Sequence, residues 1–382
     1  MVLGAVPPGD IGGNLRVAGD SQSLLSIQVL RGVAALMVAF AHFHPALAEL
    51  TGTDPPIPNF VGGAFGVDLF FVISGFVILY SSEPLFGRHD GTARFFLKRL
   101  VRIVPLYAAV TIVASLLSAY ADPKLLIASL TFWPFPPGDV PVLAVGWTLN
   151  VEMMFYAVFA AALFLVRSRL AVALTATAAL LGTMALPGGS WTSVFGQALV
   201  WEFVFGMALA LAYRAGLRLP LSLTIAMLGL ALLLYVLSSP AIVLWSMKLP
   251  DSQPWIVLPR QWSWGPVATL VVGALALSST PRPASGLRVQ ALAGLVLIGD
   301  ASYALYLVHY PVYELLGQAL TRLALDPFLY PWTYVAAMGG LALMAAILAH
   351  FFFERPLTRH LHQKITLALA DQELGGQPVP SI

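Results

Sequence analysis

Ten long apolar stretches follow one another along the chain and constrain its fold more than any other feature. A helix needs about 20 mainly apolar residues to cross the hydrocarbon core of a bilayer. The stretches are 26–47, 62–82, 100–119, 145–166, 170–186, 193–213, 220–238, 263–280, 291–318 and 331–353. The sequence therefore predicts an all-α, polytopic integral membrane protein with about ten transmembrane helices.

Charged residues are scarce, and their scarcity excludes several classes of protein. They make up 10% of the 382 residues, whereas a soluble domain contains roughly 25%. So few charges cannot cover a soluble globular enzyme, keep a chain disordered or form the basic surface of a nucleic-acid-binding protein. We therefore expect the lipid bilayer to surround most of the chain, and we expect no nucleic acid as a partner.

The Lys and Arg residues are distributed unevenly between the connections of these predicted spans. If the N-terminus is placed inside, 15 of the 20 fall on inner segments and 4 on outer loops, while Arg31 lies within the first span. Positive residues favour the cytoplasmic side, so both termini are expected in the cytoplasm. The predicted organisation is a loose N-terminal tail over 1–24, a membrane domain over 25–356 and a C-terminal tail over 357–382.

Two shorter features allow more than one interpretation. Ala46-Leu47-Ala48 resembles a signal-peptidase site after an apolar run, but Arg31, His42 and His44 interrupt what should be a clean apolar core. We therefore expect an uncleaved first span. The apolar segment from Leu125 to Phe135 is too short to cross a bilayer and is expected to be interfacial or re-entrant.

Titratable side chains inside apolar spans are costly and mark candidate functional sites. His42, Asp68 and Glu152 lie at one depth, about 8–10 Å below the outer ends of three different spans. Equal depth predicts that they face one another or a wet cavity. An imidazole beside a carboxylate is a natural general-base pair, because the acid orients the ring and raises its basicity. Arg31 lies on roughly the same helix face as His42, about 16 Å away along the axis.

A basic segment precedes the third span. Arg94, Lys98 and Arg102 recur every four residues, and Arg99 lies three residues before Arg102, so helical spacing places them on neighbouring surface. One interpretation is an amphipathic helix whose basic face lies on anionic lipid headgroups. The other is a cytoplasmic phosphate clamp, because Arg offers planar, bidentate donors. The residues alone leave both interpretations open.

Further polar residues lie in the fourth and ninth spans. Glu152 and Tyr156 are four residues apart and share a helix face, and Asn150 lies in the same span. Ser302 and His309 lie on one face of the ninth span. The alternative for all of them is that they only hydrogen-bond helices together. The chain has no Cys and its 7 His are scattered, so no metal site is expected.

Five ordered segments resemble the membrane-bound acyltransferase 3 family. They are Arg31 with His42, Gly66-Val-Asp-Leu-Phe-Phe-Val-Ile-Ser-Gly75, Arg99-Leu-Val-Arg102 with Pro105 and Tyr107, Trp147-Thr-Leu-Asn-Val-Glu152 through Tyr156, and Ser302-Tyr303 to His309 and Pro311. The resemblance extends over about residues 25–356, nearly the whole chain. The opening Ile27-Gln-Val-Leu-Arg31 and the Trp-Thr-Leu-Asn-x-Glu pattern are most similar to bacterial exopolysaccharide O-acetyltransferases.

The resemblance implies transfer of an acyl group, usually acetyl, from cytoplasmic acyl-CoA to a glycan or lipid-linked saccharide at the outer face of a bacterial inner membrane. It implies His42 as the catalytic base or a transient acyl carrier, supported by Glu152. It implies Arg31, Arg99 and Arg102 as candidates for binding the donor's phosphates. Supporting or substrate-binding roles would fall to Asp68, Asn150, Tyr156, Ser302 and His309. The implied co-substrate is acetyl-CoA or another acyl-CoA, with no metal.

Two other classes of function also use titratable residues within spans. A proton-coupled transporter would place His, Asp and Glu there, although such proteins often contain internal repeats, and this sequence shows none. A glycan polymerase or flippase could use the same charges on a lipid-linked sugar. Dependence on acyl-CoA distinguishes the enzyme from both.

Overall fold

Long helices make up the regular structure of the protein. The computed structural model describes residues 11–117, 122–133, 140–185, 199–246, 260–279, 287–323 and 331–375. The α-helices in these ranges are α1 (Ile11–Ala41), α2 (Phe43–Thr51), α3 (Phe65–Ser81), α4 (Gly91–Leu117), α5 (Pro123–Leu130), α6 (Trp147–Leu165), α7 (Arg169–Thr183), α8 (Val200–Arg214), α9 (Leu221–Ser246), α10 (Arg260–Ala276), α11 (Leu287–Asp300), α12 (Ser302–Arg322), α13 (Pro331–Ala349) and α14 (Arg355–Gly375). A π-helix, His350–Glu354, joins the last two. Within the described ranges the only β-structure is one isolated bridge between Leu219 and Ser278, which confirms the all-α prediction.

Six helical segments of the described residues are long and apolar enough to cross a membrane. They are Leu25–Thr51, Val61–Ser81, Gly91–Leu117, Ala144–Leu165, Leu221–Ser238 and Pro331–Ala368. A seventh span would be the pair Ala293–Asp300 and Ser302–Leu320, which is bent by 68°. These segments are those of a multi-pass membrane protein.

The number of ten spans stays a prediction. Helices α7 and α8 have 15 residues each, and 15 helical residues extend about 22 Å, less than the roughly 30 Å of the hydrocarbon core. The predicted spans 170–186 and 193–213 both include positions outside the described residues. Length and composition therefore identify fewer spans in the structure than the apolar pattern predicts from the sequence.

Both predicted tails are helical where the structure describes them. Helix α1 begins at Ile11 and α14 continues to Gly375, while residues 1–10 and 376–382 lie outside the described residues. The division into two tails and a membrane domain stays a prediction, as does the cytoplasmic position of the tails. The predicted interfacial segment from Leu125 to Phe135 overlaps α5, whose N-terminal cap is the carboxylate of Asp122, and its last two positions lie outside the described residues.

Glycines allow the closest helix crossings. An added Cβ atom at Gly75 in α3 would overlap the carbonyl oxygen of Phe203 in α8. An added Cβ atom at Gly299 in α11 would overlap the carbonyl oxygen of Gln28 in α1. Small residues let helix backbones approach within a membrane in this way. The second crossing holds α11 against α1, close to Arg31.

The bend between α11 and α12 directs a polar helix face toward the centre of the protein. It occurs at Ala301, which is fully buried, and α12 then packs against α1 and α4. Tyr303, Tyr306 and His309 follow at intervals of three residues, so they project from neighbouring positions on α12. The polar side of α12 therefore lies next to the helices that carry the predicted site residues.

Candidate active site

Side chains of α1, α4, α6 and their neighbours line an open cavity, here called the arginine cavity, whose empty volume of about 790 Å³ includes space open to solvent. Arg31 reaches it from α1, Arg99 and Arg102 from α4, and Glu152 from α6. The other lining residues are Val67, Phe70, Phe71, Ile73, Ser74, Val77, Ile78, Ile103, Thr148, Leu149, Tyr156, Tyr303 and Tyr306. The three arginines that the sequence singled out as donor-binding candidates thus lie in one cavity.

The basic segment at the start of α4 is divided between different surroundings. Arg94 forms an ion pair with Asp90 one turn earlier, and Lys98 is exposed. Arg99 and Arg102, three residues apart, both line the arginine cavity. The basic residues therefore do not all lie on one lipid-facing side of the helix. Two of them, Arg99 and Arg102, direct their guanidinium groups to the cavity.

The cavity arginines have few protein partners. Arg31 donates a hydrogen bond from Nη1 to Oε1 of Gln28 over 3.2 Å. Arg99 donates from Nη2 to the hydroxyl of Ser81 over 2.9 Å. Arg102 makes no hydrogen bond or ion pair with the part of the chain that the structure describes. Their donors are therefore largely available to a ligand.

Glu152 supplies the negative charge in the cavity wall. Its Oε1 accepts a hydrogen bond from the hydroxyl of Ser74 over 2.9 Å and another from the hydroxyl of Tyr156 on the same helix. Among the described residues, Glu152 forms no ion pair with a cavity arginine. Three guanidinium groups therefore face one carboxylate, and the lining carries an excess of positive charge.

A pair of histidines lies beyond the cavity lining. His42 occupies the single residue between α1 and α2, and its Nδ1 lies 2.8 Å from the carbonyl oxygen of Val38. The Nε2 of His309, a fully buried residue of α12, lies 3.3 Å from Nδ1 of His42. The ring centroids are 5.0 Å apart. We call these two residues the histidine pair.

The structure corrects the predicted pairing of His42 with Glu152. His42 contacts His309, whereas Glu152 bonds to Ser74 and Tyr156 within the arginine cavity. Depth along a helix axis placed the two residues at one level, but contact also depends on the rotation of each helix. The apolar pattern of the two spans does not fix that rotation.

Tyr306 lies between the arginine cavity and the histidine pair. It lines the cavity, and its hydroxyl oxygen lies 2.7 Å from Oγ1 of Thr148. Its ring also stands edge-on to the ring of His309, with centroids 6.2 Å apart. One side chain therefore contacts both parts of the site.

Three other predicted residues are buried but do not line the cavity. Asp68 is fully buried in the first turn of α3. Asn150 donates a hydrogen bond from Nδ2 to the carbonyl oxygen of Trp133 over 3.2 Å, which ties α6 to the end of the α5 segment. The hydroxyl of Ser302 has no hydrogen-bond partner among the described residues. The roles of these three residues in the site stay predictions.

Sequence reasoning missed four polar residues of the cavity wall: Ser74, Thr148, Tyr303 and Tyr306. Ser74 lies within the motif segment from Gly66 to Gly75, where it was assigned no role. Tyr306 lies four residues after Ser302 and three before His309, and this helical spacing is the signal that could have identified it. Within the described ranges, no three His, Asp or Glu residues come together as a metal site would require.

The chain is similar to known proteins over most of its length. The family described as an acyltransferase domain matches residues 24–350. The exopolysaccharide production protein ExoZ of Rhizobium meliloti (strain 1021) is 33% identical over 86% of this chain and 98% of its own length. Protein 2 in picA locus of Rhizobium radiobacter is 29% identical over 34% of this chain and 78% of its own length. No solved structure matches the chain. The extent of the family match shows that the chain belongs to the acyltransferase 3 family.

Proposed function

We propose that this protein transfers an acyl group, most simply acetyl, from cytoplasmic acyl-CoA to a hydroxyl of an extracytoplasmic or lipid-linked glycan, such as an exopolysaccharide unit. The observation that carries the proposal is the arginine cavity, with three guanidinium groups and one carboxylate in its wall. Membership of the acyltransferase 3 family supports acyl transfer. The printed name of the Rhizobium meliloti relative supports a polysaccharide acceptor.

The charge of the cavity favours an anionic donor. Unpaired charges inside a membrane protein are costly, so the excess positive charge is best balanced by a bound anion. Arg31, Arg99 and Arg102 can each offer two parallel N–H donors to a phosphate. The phosphates of an acyl-CoA are such a ligand, and its thioester arm would extend from them along α1.

The orientation follows from the distribution of basic residues. In the predicted ten-span topology 15 of the 20 Lys and Arg fall on inner segments, and this topology would turn the arginine cavity toward the cytoplasm, where acyl-CoA is made. His42 then lies toward the outer side, about 16 Å along α1 from Arg31. This separation suits an extended thioester arm that reaches from the arginines toward the histidine pair. The bacterial inner membrane is the location that fits both substrates.

The proposed chemistry uses His42 as a general base. The acceptor hydroxyl loses its proton to His42, and its oxygen forms a bond with the carbonyl carbon of the thioester. The carbon–sulfur bond breaks, and the CoA sulfur takes the proton back from His42. The products are an ester and free CoA. A route in which His42 first carries the acyl group gives the same products, whereas a Cys-linked intermediate is impossible because the chain has no Cys.

Binding of acetyl-CoA tests the proposal. We expect the purified full-length protein in nanodiscs to bind acetyl-CoA in isothermal titration calorimetry. The combined replacements Arg99→Ala and Arg102→Ala should weaken binding at least about 100-fold, because each removes charge-assisted hydrogen bonds. Lys98→Ala is the matched control, since it removes one charge from the same helix at an exposed position outside the cavity lining.

A folded, monodisperse sample that binds neither acetyl-CoA nor longer acyl-CoAs would overturn the proposal. That result would favour a proton-coupled transporter or a glycan flippase. Equal loss of affinity in Lys98→Ala and in the double arginine variant would also contradict the assignment, because general electrostatic attraction would then explain the binding.

A further inference from the structure

The two rings of the histidine pair have their protons fixed by backbone carbonyls. Nδ1 of His309 lies 3.0 Å from the carbonyl oxygen of Leu305. A carbonyl oxygen only accepts hydrogen bonds, so Nδ1 of His309 must carry a proton. In a neutral imidazole the other nitrogen then bears a lone pair. His309 therefore presents an accepting Nε2 toward His42.

The same argument applies to His42. Its Nδ1 lies 2.8 Å from the carbonyl oxygen of Val38 and 3.3 Å from Nε2 of His309. Both neighbours are acceptors, so the proton of His42 lies on Nδ1 and is shared between them. The lone pair of His42 is then on Nε2, which is the nitrogen that can take a proton from a hydroxyl.

We infer that His309 is the positioning residue of His42: its neutral, accepting ring holds His42 in the tautomer that a base requires. This inference rests on the proposed function and identifies the residue that prepares the base. When Nε2 of His42 takes a proton, the ring becomes positively charged, and the lone pair of His309 faces the Nδ1–H of that ring. His309 thus lies beside the proposed base, in the position that the sequence predicts for the carboxylate of Glu152.

The surroundings of His309 fit a fixed, neutral ring. The residue is fully buried, and the rings of Tyr306 and Tyr313 pack edge-on against it. Burial disfavours a charged imidazole, and the aromatic contacts restrict its rotation. A residue with these properties can orient a neighbour without exchanging protons with solvent.

Two amide variants test the inference. In His309→Gln the side-chain amide oxygen reaches the position of Nε2 and can accept the hydrogen bond from Nδ1 of His42. In His309→Asn the side chain is one methylene shorter, so its amide reaches only the position of Nδ1, next to the carbonyl oxygen of Leu305. The assay measures thiol release from acetyl-CoA by the full chain in nanodiscs, with methyl β-glucopyranoside or water as the acceptor. We expect His309→Asn to lower kcat about 100-fold, His309→Gln to stay within about tenfold of the original protein, and KM for acetyl-CoA to stay unchanged in both.

Tyr313→Phe is the matched control. It removes a hydroxyl that bonds α12 to the carbonyl oxygen of Ala39 in α1 over 3.3 Å, so it perturbs the same helix pair without touching the ring nitrogens. We expect kcat to be unchanged. Wild-type kcat in His309→Asn, or equal loss in the Asn and Gln variants, would overturn the inference. Absence of thiol release from the original protein would instead contradict the proposed function itself.

A spectroscopic measurement needs no variant to be active. In protein with nitrogen-15 in its histidines, ring-nitrogen chemical shifts report which nitrogen carries the proton. Signals are assigned by replacing His42 and His309 singly. We expect Nδ1-protonated, neutral rings at both positions. A proton on Nε2 of His42 in the resting protein would overturn the inference.

Discussion

Tyr306 and Thr148 hold their hydroxyl oxygens 2.7 Å apart at the boundary between the arginine cavity and the histidine pair. Both hydroxyl groups also lie within hydrogen-bond distance of the carbonyl oxygen of Val145. The ring of Tyr306 packs edge-on against Phe70 as well, with centroids 5.8 Å apart. On the proposed route from the arginines to His42, the acyl group would pass this contact.

Replacement of Tyr306 should therefore change the choice of acyl chain. Tyr306→Leu makes room at the boundary, so the ratio of kcat/KM for butyryl-CoA over acetyl-CoA should rise about tenfold, because each of the two added methylenes gains about 0.8 kcal/mol on burial. Tyr306→Phe keeps the size of the ring and should leave this ratio unchanged. A folded Tyr306→Leu protein with the original ratio would show that the boundary does not select the chain.

Replacement of His42 separates chemistry from donor binding. His42→Ala removes the proposed base, so thiol release from acetyl-CoA should disappear, while affinity for acetyl-CoA should persist because His42 does not line the arginine cavity. His44→Ala is the matched control: His44 lies two residues away and pairs with Asp54 over 3.2 Å. Activity should fall in the first variant alone. Normal activity in His42→Ala would refute the assignment of the base.

Neutralising Glu152 should affect stability and affinity in opposite directions. Glu152→Gln leaves three guanidinium groups without a carboxylate in the cavity, so the melting temperature without ligand should fall. Free CoA should bind more tightly, by about 1 kcal/mol or roughly fivefold. Glu314→Gln, at an exposed position of α12 outside the cavity lining, should change neither quantity. Weaker CoA binding in Glu152→Gln would show that Glu152 contacts the donor directly.

The crossing of α1 and α11 should tolerate no side chain at Gly299. Gly299→Ala places a methyl group against the carbonyl oxygen of Gln28 and should destabilise the protein by about 1–3 kcal/mol. Gly294→Ala, on the same helix in open space, should be neutral or stabilising because Ala favours a helix. Thermal unfolding of the two variants in nanodiscs measures the difference. Equal melting temperatures would contradict the close crossing.

The sequence identified the three arginines of the cavity mainly because helical spacing determines which side chains lie on the same helix face. Arg99 and Arg102 had to lie on neighbouring surface of one helix, and Arg31 lay near the same end of its span. A structure was needed to show that the two helices turn these faces toward each other. The motif resemblance, which the family match confirms, supplied that expectation where spacing could not.

The partner of His42 could not be predicted for a related reason. Depth along the membrane follows from position in a span, so the sequence predicts His42, Asp68 and Glu152 at one level. Rotation is set by packing contacts such as those of Gly75, and these depend on helices distant in sequence. His309 was assigned only the supporting or substrate-binding role that the family resemblance implies.

Helix α1 continues without interruption from Arg31 to Ala41, the residue before His42. The separation between Arg31, which we propose binds phosphate, and His42, the proposed base, is therefore fixed by the length of one helix. Loops at the outer face can lengthen, shorten or change sequence without altering that distance. A one-residue insertion in α1, by contrast, would turn Arg31 away from His42 by about 100° and would abolish the proposed transfer whatever the acceptor.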